Sequence, residues 1–376
     1  MRKFGPTRRA VVAGMLAAGA TGQAAVGSGT PSLQALAAAK GRRFGAAVSA
    51  ADLSDPRMRA LLSAECDMLV CQTEMKWRHL RPNARDWRFG DADRIAAFAG
   101  RHGLGLRGHT LLWHHPDYTP EWLHRHDFGR RPIAAAETML TDHIRMVAAR
   151  YPQVASWDVV NEAVHHETGN LRDTPFARIL GERTLHIAFY TARATAPGAQ
   201  LVYNDYMNWG DHQEAHRRGV LRLLERFRRD SVPCDALGIQ SHLKVLGGPN
   251  AGGELARRVK VWRAFLKEVT DLGYDLLVTE FDVSDEAAPG EPAVRDQLVA
   301  EVGRAFLDET LSTRRAGDVL AWGMVDPLSW LQGFTPRPDG LPQRPTLFDG
   351  DYRPKPLRAA VAAALAQAAR YHRGVK

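Results

Sequence analysis

The sequence of 376 residues is poor in cysteine and, past its amino terminus, in long apolar runs. Its three cysteines are Cys66, Cys71 and Cys234, and an extended segment between the first two would hold them beyond disulfide reach. We therefore exclude a disulfide scaffold and expect three buried thiols. No later stretch reaches the about 18 uncharged apolar residues of a membrane-spanning helix. The mature protein is expected to have no membrane partner.

The sequence lacks the usual patterns for binding nucleic acids, dinucleotide cofactors and metals. The net charge is +8, but four basic residues lie within the first nine positions. No Lys/Arg stripe interleaved with aromatics follows, so nucleic-acid binding is not expected. No G-x-G-x-x-G follows the first predicted strand, and no H-E-x-x-H or C-x-x-C spacing is present. Since the adjacent His165 and His166 would point apart on an extended chain, we expect no metal and no cofactor.

The amino-terminal segment MRKFGPTRRAVVAGMLAAGATGQAAVG has the order of an export signal: basic residues, an apolar run of about ten residues, then small residues. Arg8 and Arg9 directly precede the apolar run and resemble a twin-arginine signal, with an ordinary secretory signal as the alternative. We expect residues 1–30 to be the signal and 31–376 to be one exported domain, in the periplasm or outside the cell.

Short apolar runs alternate with longer amphipathic ones from about Ser32 onward. The strand candidates are residues 44–50, 67–74, 104–113, 154–163, 200–207, 236–243, 275–283 and 319–326. The helix candidates are residues 55–65, 91–102, 134–151, 176–196, 211–230, 252–272, 292–315 and 356–372. Eight strand and helix pairs with nearly continuous apolar strands predict a single-domain α/β protein with a (β/α)8 barrel. A doubly wound open sheet is the alternative.

Polar and aromatic residues follow the apolar part of six predicted strands. In DLLVTEFDVS, for example, three apolar residues precede Glu280 and Asp282, and strand four similarly ends in Asn161 and Glu162. Barrel strands carry working groups at their carboxyl ends, so these side chains should share one site. Two acids in a cleft lined by Trp and His suit glycoside hydrolysis, in which one acid protonates the leaving oxygen and the other meets the cationic centre.

Six motifs make this interpretation more specific. RGHTLLWH, WDVVNEAV, NDY, GIQSHL, VTEFDV and WGMVDPLSW occur in this order along the chain. They resemble the glycoside hydrolase family 10 endo-β-1,4-xylanases, over residues 44–352. The resemblance implies an endo-β-1,4-xylanase that acts on xylan or its oligosaccharides, and we expect it to act as a monomer.

The resemblance implies a retaining double displacement by two carboxylates. Glu162 would be the general acid and then base, and Glu280 the nucleophile. Such enzymes hold the two carboxyl groups about 5 to 5.5 Å apart. Asn161 would hydrogen-bond the 2-hydroxyl of the sugar at the cleavage point. Because close negative charges raise one pKa, we expect Glu162 to start protonated.

The other motif residues would orient the nucleophile or hold the sugar. His242 and Asp282 would keep Glu280 ionised, with Gln240 in the same network. The sugar-binding residues implied by the resemblance are Lys76, His109 and Trp113 on the non-reducing side, Trp322 and Trp330 as stacking floor and lid, and Asn204 and Tyr206 towards the leaving group.

The second strand departs from the P-E-N-x-M-K-W that is usual in this family. Here the chain reads C-Q-T-E-M-K-W, so Gln72 and Thr73 replace a carboxylate and an amide expected to bind the second glycone sugar. Residues 113–116, Trp-His-His-Pro, lack another such amide. We hypothesise that the distal glycone sugar differs or binds weakly, as in a decorated or acidic xylan. Full activity on linear xylan is the alternative.

Two further functions remain open at this point. One is a barrel glycosidase that cuts another β-linked glycan. The other is a non-catalytic carbohydrate-binding barrel, which would keep the tryptophans but could lose Glu162 or Glu280. Both acids are present.

Overall fold

The computed structural model describes residues 30–246 and 251–373. The predicted export signal therefore lies outside the described residues. A compact unit begins at Ser32. Within the described ranges, no helix is long and apolar enough to cross a membrane.

Parallel strands form a closed barrel. Their bounds are β1 Phe44–Val48, β2 Met68–Cys71, β3 Gly105–Trp113, β4 Val154–Asn161, β5 Gln200–Asp205, β6 Ala236–Ile239, β7 His242–Lys244, β8 Asp275–Ser284 and β9 Ala316–Ala321. Neighbours along the chain pair in order from β1 to β6, β6 pairs with β8, and β9 closes the ring between β8 and β1. Each strand needs a helical crossover to reach its parallel neighbour. The predicted (β/α)8 barrel is confirmed.

Helices cover the outside of the barrel because their apolar faces pack on the strands. Their bounds are α1 Leu33–Ala38, α2 Pro56–Glu65, α3 Trp77–Leu80, α4 Gly90–Arg101, α5 Glu121–His124, α6 Pro132–Arg150, α7 Pro175–Leu180, α8 Arg183–Thr195, α9 Glu214–Arg229, α10 Ala251–Asp271, α11 Pro292–Thr310, α12 Leu331–Phe334 and α13 Pro356–Gln367. The helix predicted over 176–196 is two helices, because Gly181 adopts a φ of 62° between α7 and α8.

One predicted strand, 236–243, is interrupted. Ser241 has a φ of 64°, which a regular strand does not allow, and this residue separates β6 from β7. Its hydroxyl donates to the carbonyl of Ile239 at 3.0 Å, which satisfies the buried side chain. The break lies between Gln240 and His242, and the two side chains reach different carboxylates.

The three cysteines are buried and free, as predicted. Trp157 on β4 lies completely buried in the barrel core. The neighbouring strand makes room through Gly108, where a Cβ atom would lie 2.0 Å from the Trp157 ring. The polar groups of the site lie beyond this packed layer.

Candidate active site

Two carboxylates lie at the carboxyl end of the barrel. Glu162 directly follows β4, and Glu280 lies in the second half of β8. Their exposed fractions are 8% and 5%. Buried carboxylates require hydrogen-bonding or charged partners, because an isolated buried charge is strongly unfavourable. The two acids have different partners.

Glu280 is held in its ionised form. Its Oε1 accepts a hydrogen bond from Asn204 Nδ2 at 2.8 Å, and its Oε2 lies 3.3 Å from His242 Nε2. His109 Nδ1 is 3.9 Å from Oε1. Burial alone would raise the pKa of Glu280, but His109, His242 and Lys76 outweigh it and lower the pKa to about 2. Glu280 is therefore an anion across the whole physiological pH range.

His242 links Glu280 to a second acid. Its Nδ1 lies 2.9 Å from Asp282 Oδ1, and Trp330 Nε1 donates to Asp282 Oδ2 at 2.7 Å. Burial opposes a charge on His242, yet Asp282 and Glu280 together raise its pKa to about 10. The imidazolium thus lies between two carboxylates, and the Trp330 ring is fixed against it at a centroid distance of 4.9 Å.

Glu162 has the opposite electrostatic environment. Its carboxylate accepts from Gln240 Nε2 at 2.9 Å and from Asn161 Nδ2 at 3.2 Å. Burial raises the pKa of Glu162, and nearby Asp205 and Glu280 add to the shift, although the Gln240 hydrogen bond opposes it. Glu162 has a φ of 55°, a left-handed conformation that is uncommon outside glycine.

The position of Gln240 corrects one prediction. We expected Gln240 in the network of the nucleophile, but its amide donates to Glu162 and, at 3.3 Å, to Asn161 Oδ1. The interruption at Ser241 explains the difference, because Gln240 precedes it and His242 follows it.

Asn204 corrects a second prediction. We expected Asn204 to contact the substrate on the leaving-group side, but its side chain is completely buried, with an exposed fraction of 0%. Its Nδ2 donates to Glu280 and, at 2.8 Å, to Asn161 Oδ1, while its Oδ1 accepts from Thr279 Oγ1 at 2.7 Å. Asn204 therefore links Glu280 to Asn161, and Asn161 in turn contacts Glu162.

An aromatic wall with one half-buried lysine lies beside the carboxylates. Lys76 Nζ is 4.5 Å from the centroid of the Trp113 ring and 5.6 Å from that of Trp322. The His109 ring meets Trp322 edge-on at 5.4 Å. Burial lowers the pKa of Lys76, while Glu280 and Glu162 oppose the shift. These four predicted residues lie together.

Tyr206 lies on the side of Glu162. Arg172 Nη2 donates to the Tyr206 hydroxyl at 2.6 Å, and Arg172 Nε donates to the Glu162 carbonyl at 3.0 Å. His166 Nδ1 lies 3.1 Å from the same hydroxyl. His165 and His166 stack at a centroid distance of 5.1 Å, so these adjacent rings do not point apart as the sequence analysis had assumed.

Gln72 and Thr73 follow β2 at the same end of the barrel. Gln72 is half-buried and Thr73 exposed. Neither side chain makes a hydrogen bond within the described ranges, so the structure does not join them to the carboxylate network. The neighbouring Glu74 holds the loop instead, accepting from Ala50 N at 2.8 Å and from Thr73 N at 3.0 Å.

Several residues of the site were not predicted from the sequence. Asp158 lies 2.9 Å from His109 Nδ1 and fixes that ring, and Tyr118 stacks on Trp113 at 3.8 Å. Thr279 and Arg172 hold Asn204 and Glu162 as described above. Asp158 gave the clearest signal, a charged residue inside the apolar run WDVV that needs a buried partner.

This arrangement separates a general acid from an anion. One carboxyl group has a raised pKa and the other a lowered one, and both belong to one hydrogen-bond network beside the aromatic wall. Such a pair can protonate a departing oxygen and stabilise or attack an electron-poor carbon.

A family model described as glycosyl hydrolase family 10 matches residues 32–364. The chain belongs to glycosyl hydrolase family 10. It is therefore a glycoside hydrolase, and the predicted family and enzyme class are confirmed.

Relatives in family 10 match most of the chain. Endo-1,4-beta-xylanase 3 of Hypocrea jecorina is 31% identical over 317 residues, which cover 83% of this chain and 79% of the relative. Beta-1,4-xylanase of Dictyoglomus thermophilum is 32% identical over 322 residues, which cover 83% and 85%.

Solved family 10 structures also superimpose on the barrel. Xylanase 10B of Thermotoga maritima has a TM-score of 0.78 at 27% identity, covering 89% of this chain and 98% of that one. Xylanase 10B of Thermotoga petrophila, in complex with xylobiose, has a TM-score of 0.78 at 26% identity, covering 90% and 98%.

Proposed function

We propose that this glycoside hydrolase is a retaining endo-β-1,4-xylanase that cleaves xylan or xylo-oligosaccharides. The observation that carries the proposal is the opposite pKa shift of two carboxyl groups in one network, raised for Glu162 and lowered to about 2 for Glu280. The xylanase relatives and the xylobiose-bound structure support the substrate class.

In the first step, the Glu280 carboxylate forms a bond to the anomeric carbon as the bond from that carbon to the glycosidic oxygen breaks. Glu162 donates its proton to the departing oxygen. In the second step Glu162, now ionised, takes a proton from water, the water oxygen bonds to the anomeric carbon, and the bond to Glu280 breaks. Two displacements retain the configuration.

The neighbouring side chains have distinct roles in this proposal. Asn161 donates to the 2-hydroxyl of the sugar at the cleavage point, while Asp282 acts through His242 to keep Glu280 ionised. The sugar contacts we propose are Lys76, His109, Trp113, Trp322, Trp330 and Tyr206. Asn204 and Gln240 become positioning residues, since their amides bind the catalytic groups themselves.

The mechanism is tested by the anomeric configuration of the first product and by two variants. Proton NMR of xylo-oligosaccharide cleavage should show the β-anomer first. Glu280→Ala should abolish polymer cleavage. Glu162→Ala should keep its first step on aryl xylosides with good leaving groups, because these need no protonation. A product with inverted configuration, or full polymer cleavage by Glu280→Ala, would refute the mechanism.

We also propose that the second glycone sugar binds differently from the family pattern, because Gln72 replaces the family's carboxylate and Thr73 replaces its amide. A hydrogen bond between a charged group and a hydroxyl contributes about 1.5 to 3 kcal/mol. Gln72→Glu should therefore raise kcat/KM on linear xylo-oligosaccharides by about tenfold or more. An unchanged value would reject this part.

Gln153→Glu is the matched control, because Gln153 is an exposed residue just before β4, at the opposite end of the barrel. Reducing-sugar release from xylan, glucan and mannan distinguishes a xylanase from a glycosidase of other β-linked glycans. Oligosaccharide binding without cleavage of any polymer would favour the non-catalytic barrel. Export by the twin-arginine route and a monomeric state complete the proposal.

A further inference from the structure

The amino-terminal mouth of the barrel holds a buried arginine with unused donors. Arg42 lies two residues before β1 and has an exposed fraction of 2%. Its Nη2 donates to the carbonyl of Ala369 at 2.6 Å, but its Nε and Nη1 have no hydrogen-bond partner among the described residues. A guanidinium with unmet donors away from water is costly, and most buried polar groups in proteins are paired.

These donors border a cavity of about 250 Å³. Gly41, Arg43 and Asp318 line it, as do Gln200 from the start of β5 and Tyr371 and Arg373 from the segment after α13. All the strand residues named lie at or near the amino ends of their strands, so the cavity is at the opposite end of the barrel from Glu162 and Glu280. Since one water takes about 30 Å³, the space can hold an ion with several oxygens.

The acids at this mouth already have cationic partners. Asp318 accepts from Arg43 N at 2.9 Å and from Arg43 Nε at 3.2 Å. Asp275 lies 3.2 Å from Arg315 Nη2 and accepts from the Tyr371 hydroxyl at 3.1 Å. The cations left to face the cavity are therefore Arg42 and Arg373.

We propose that this cavity binds a small tetrahedral oxyanion, inorganic phosphate or sulfate, between Arg42 and Arg373. Arg42 Nε and Nη1 would donate to the anion, and Arg373 would add charge from the exposed side. A bound anion would join Arg42, in the segment before β1, to the carboxyl-terminal segment and stabilise the fold. Burial lowers the pKa of Arg42 to about 10, although nearby Asp318 opposes the shift. The proposal is independent of the xylanase activity.

The test is thermal unfolding of the full chain in phosphate, in sulfate and in chloride at equal ionic strength. We expect the melting temperature to rise and saturate at millimolar phosphate or sulfate, because a ligand that binds only the folded state stabilises it. General salting effects instead grow without saturation up to high concentration. Equal melting temperatures in phosphate and chloride would mean that the cavity holds only water, and would overturn the proposal.

Two variants and a control locate the effect. Arg42→Met should lose the phosphate response and, without phosphate, be at least as stable as the parent, because a buried charge with two donors that lack partners is gone. Arg373→Gln should shift the response to several-fold higher phosphate. Arg145→Gln, an exposed arginine on α6, should respond like the parent. A full response in Arg42→Met would refute the site.

If Arg42→Met does not fold, calorimetric titration of the parent and of Arg373→Gln with phosphate decides the question, and no binding heat in the parent would again overturn the proposal. Cleavage of xylo-oligosaccharides should have the same kcat with and without phosphate, since the two sites lie at opposite ends of the barrel. Failure of the anion site and failure of the xylanase proposal are therefore separate results.

Discussion

Asp282 acts on Glu280 through His242, whose ring nitrogens face the two carboxylates at 2.9 Å and 3.3 Å. Asp282→Asn should lower the pKa of His242, because burial then meets less compensation, and Glu280 should lose part of its cationic partner. The pKa of Glu280 should rise from about 2. Since the nucleophile works only when ionised, activity should then be lost at a higher pH on acidification.

The test for Asp282→Asn is the dependence of kcat/KM on pH with an aryl xylobioside as substrate. The pH at which activity is lost on the acid side should be higher than in the parent. Asp351→Asn changes an exposed acid that pairs with Arg353 and should leave the profile unchanged. An unmoved acid limb in Asp282→Asn would show that His242 does not transmit the charge.

For single residues, the sequence predicted which side chains share the site but not which atoms form hydrogen bonds. Glu162, Glu280 and Asp282 follow from strand-end position and chemistry alone. Asn204 and Gln240 were assigned to the wrong neighbours, because strand register and the left-handed Ser241 decide where an amide points. Neither is visible in a sequence pattern.

Gly238 on β6 leaves room for the Asn204 side chain beneath the carboxylates. The two residues are register partners, and a Cβ atom at Gly238 would lie 2.3 Å from Asn204 Oδ1. Gly238→Ala should displace Asn204 and remove its bond to Glu280. Losing a hydrogen bond to a charged group amounts to about 1.5 to 3 kcal/mol, so kcat should fall by about 10- to 100-fold.

Gly253→Ala is the control for this strand variant, because Gly253 lies in α10 with nothing within 4 Å of an added Cβ. It should be neutral or stabilising, since alanine suits a helix interior better than glycine. The readouts are kcat and KM separately, with thermal unfolding. A Gly238→Ala enzyme with parental kcat would show that Asn204 is not needed for positioning.

In α6, His143 stacks on Trp77 at 3.6 Å in a completely buried position. Burial holds the pKa of His143 well below 6.5, and nearby Arg81 adds to the shift. The unfolded chain therefore binds a proton more readily than the folded one. The stability that follows is present above about pH 6.5 and is lost as the pH falls below it.

His143→Phe keeps a stacked ring that cannot be protonated. Between about pH 7 and pH 5, the free energy of unfolding should fall less in this variant than in the parent. The difference between the two should be up to about 1.4 kcal/mol per pH unit. Urea unfolding at several pH values measures this, with the exposed His372→Phe as the control. Parallel curves for His143→Phe and the parent would contradict the expectation.

For the whole molecule, alternation of apolar runs with amphipathic ones was enough to predict the closed barrel. A parallel strand buried on both faces reads as a continuous apolar run, and eight such strands alternating with helices favour a closed barrel over the doubly wound alternative. The short helices α3, α5 and α12 escaped prediction, since each has only four residues and no periodicity can be read from one turn.

The ends of the barrel domain are joined by one buried ion pair. Arg358 on α13 donates to Glu65 on α2 at 2.9 Å, and Glu65 also accepts from the backbone N of Leu33 at 2.8 Å. The side chains are 8% and 9% exposed. Arg358→Leu should therefore destabilise the fold by about 3 to 5 kcal/mol, because it leaves Glu65 as a buried anion without its counterion.

Urea unfolding should show that loss, and the double variant Glu65→Leu/Arg358→Leu should recover most of it, since both charges are then removed together. Arg218→Leu breaks an exposed pair with Glu214 on α9 and should have too small an effect to detect. The folded fraction of each variant should keep the parental kcat, because the pair lies outside the barrel mouth. A double variant no more stable than Arg358→Leu would show that packing around α13, and not the unpaired charge, causes the loss.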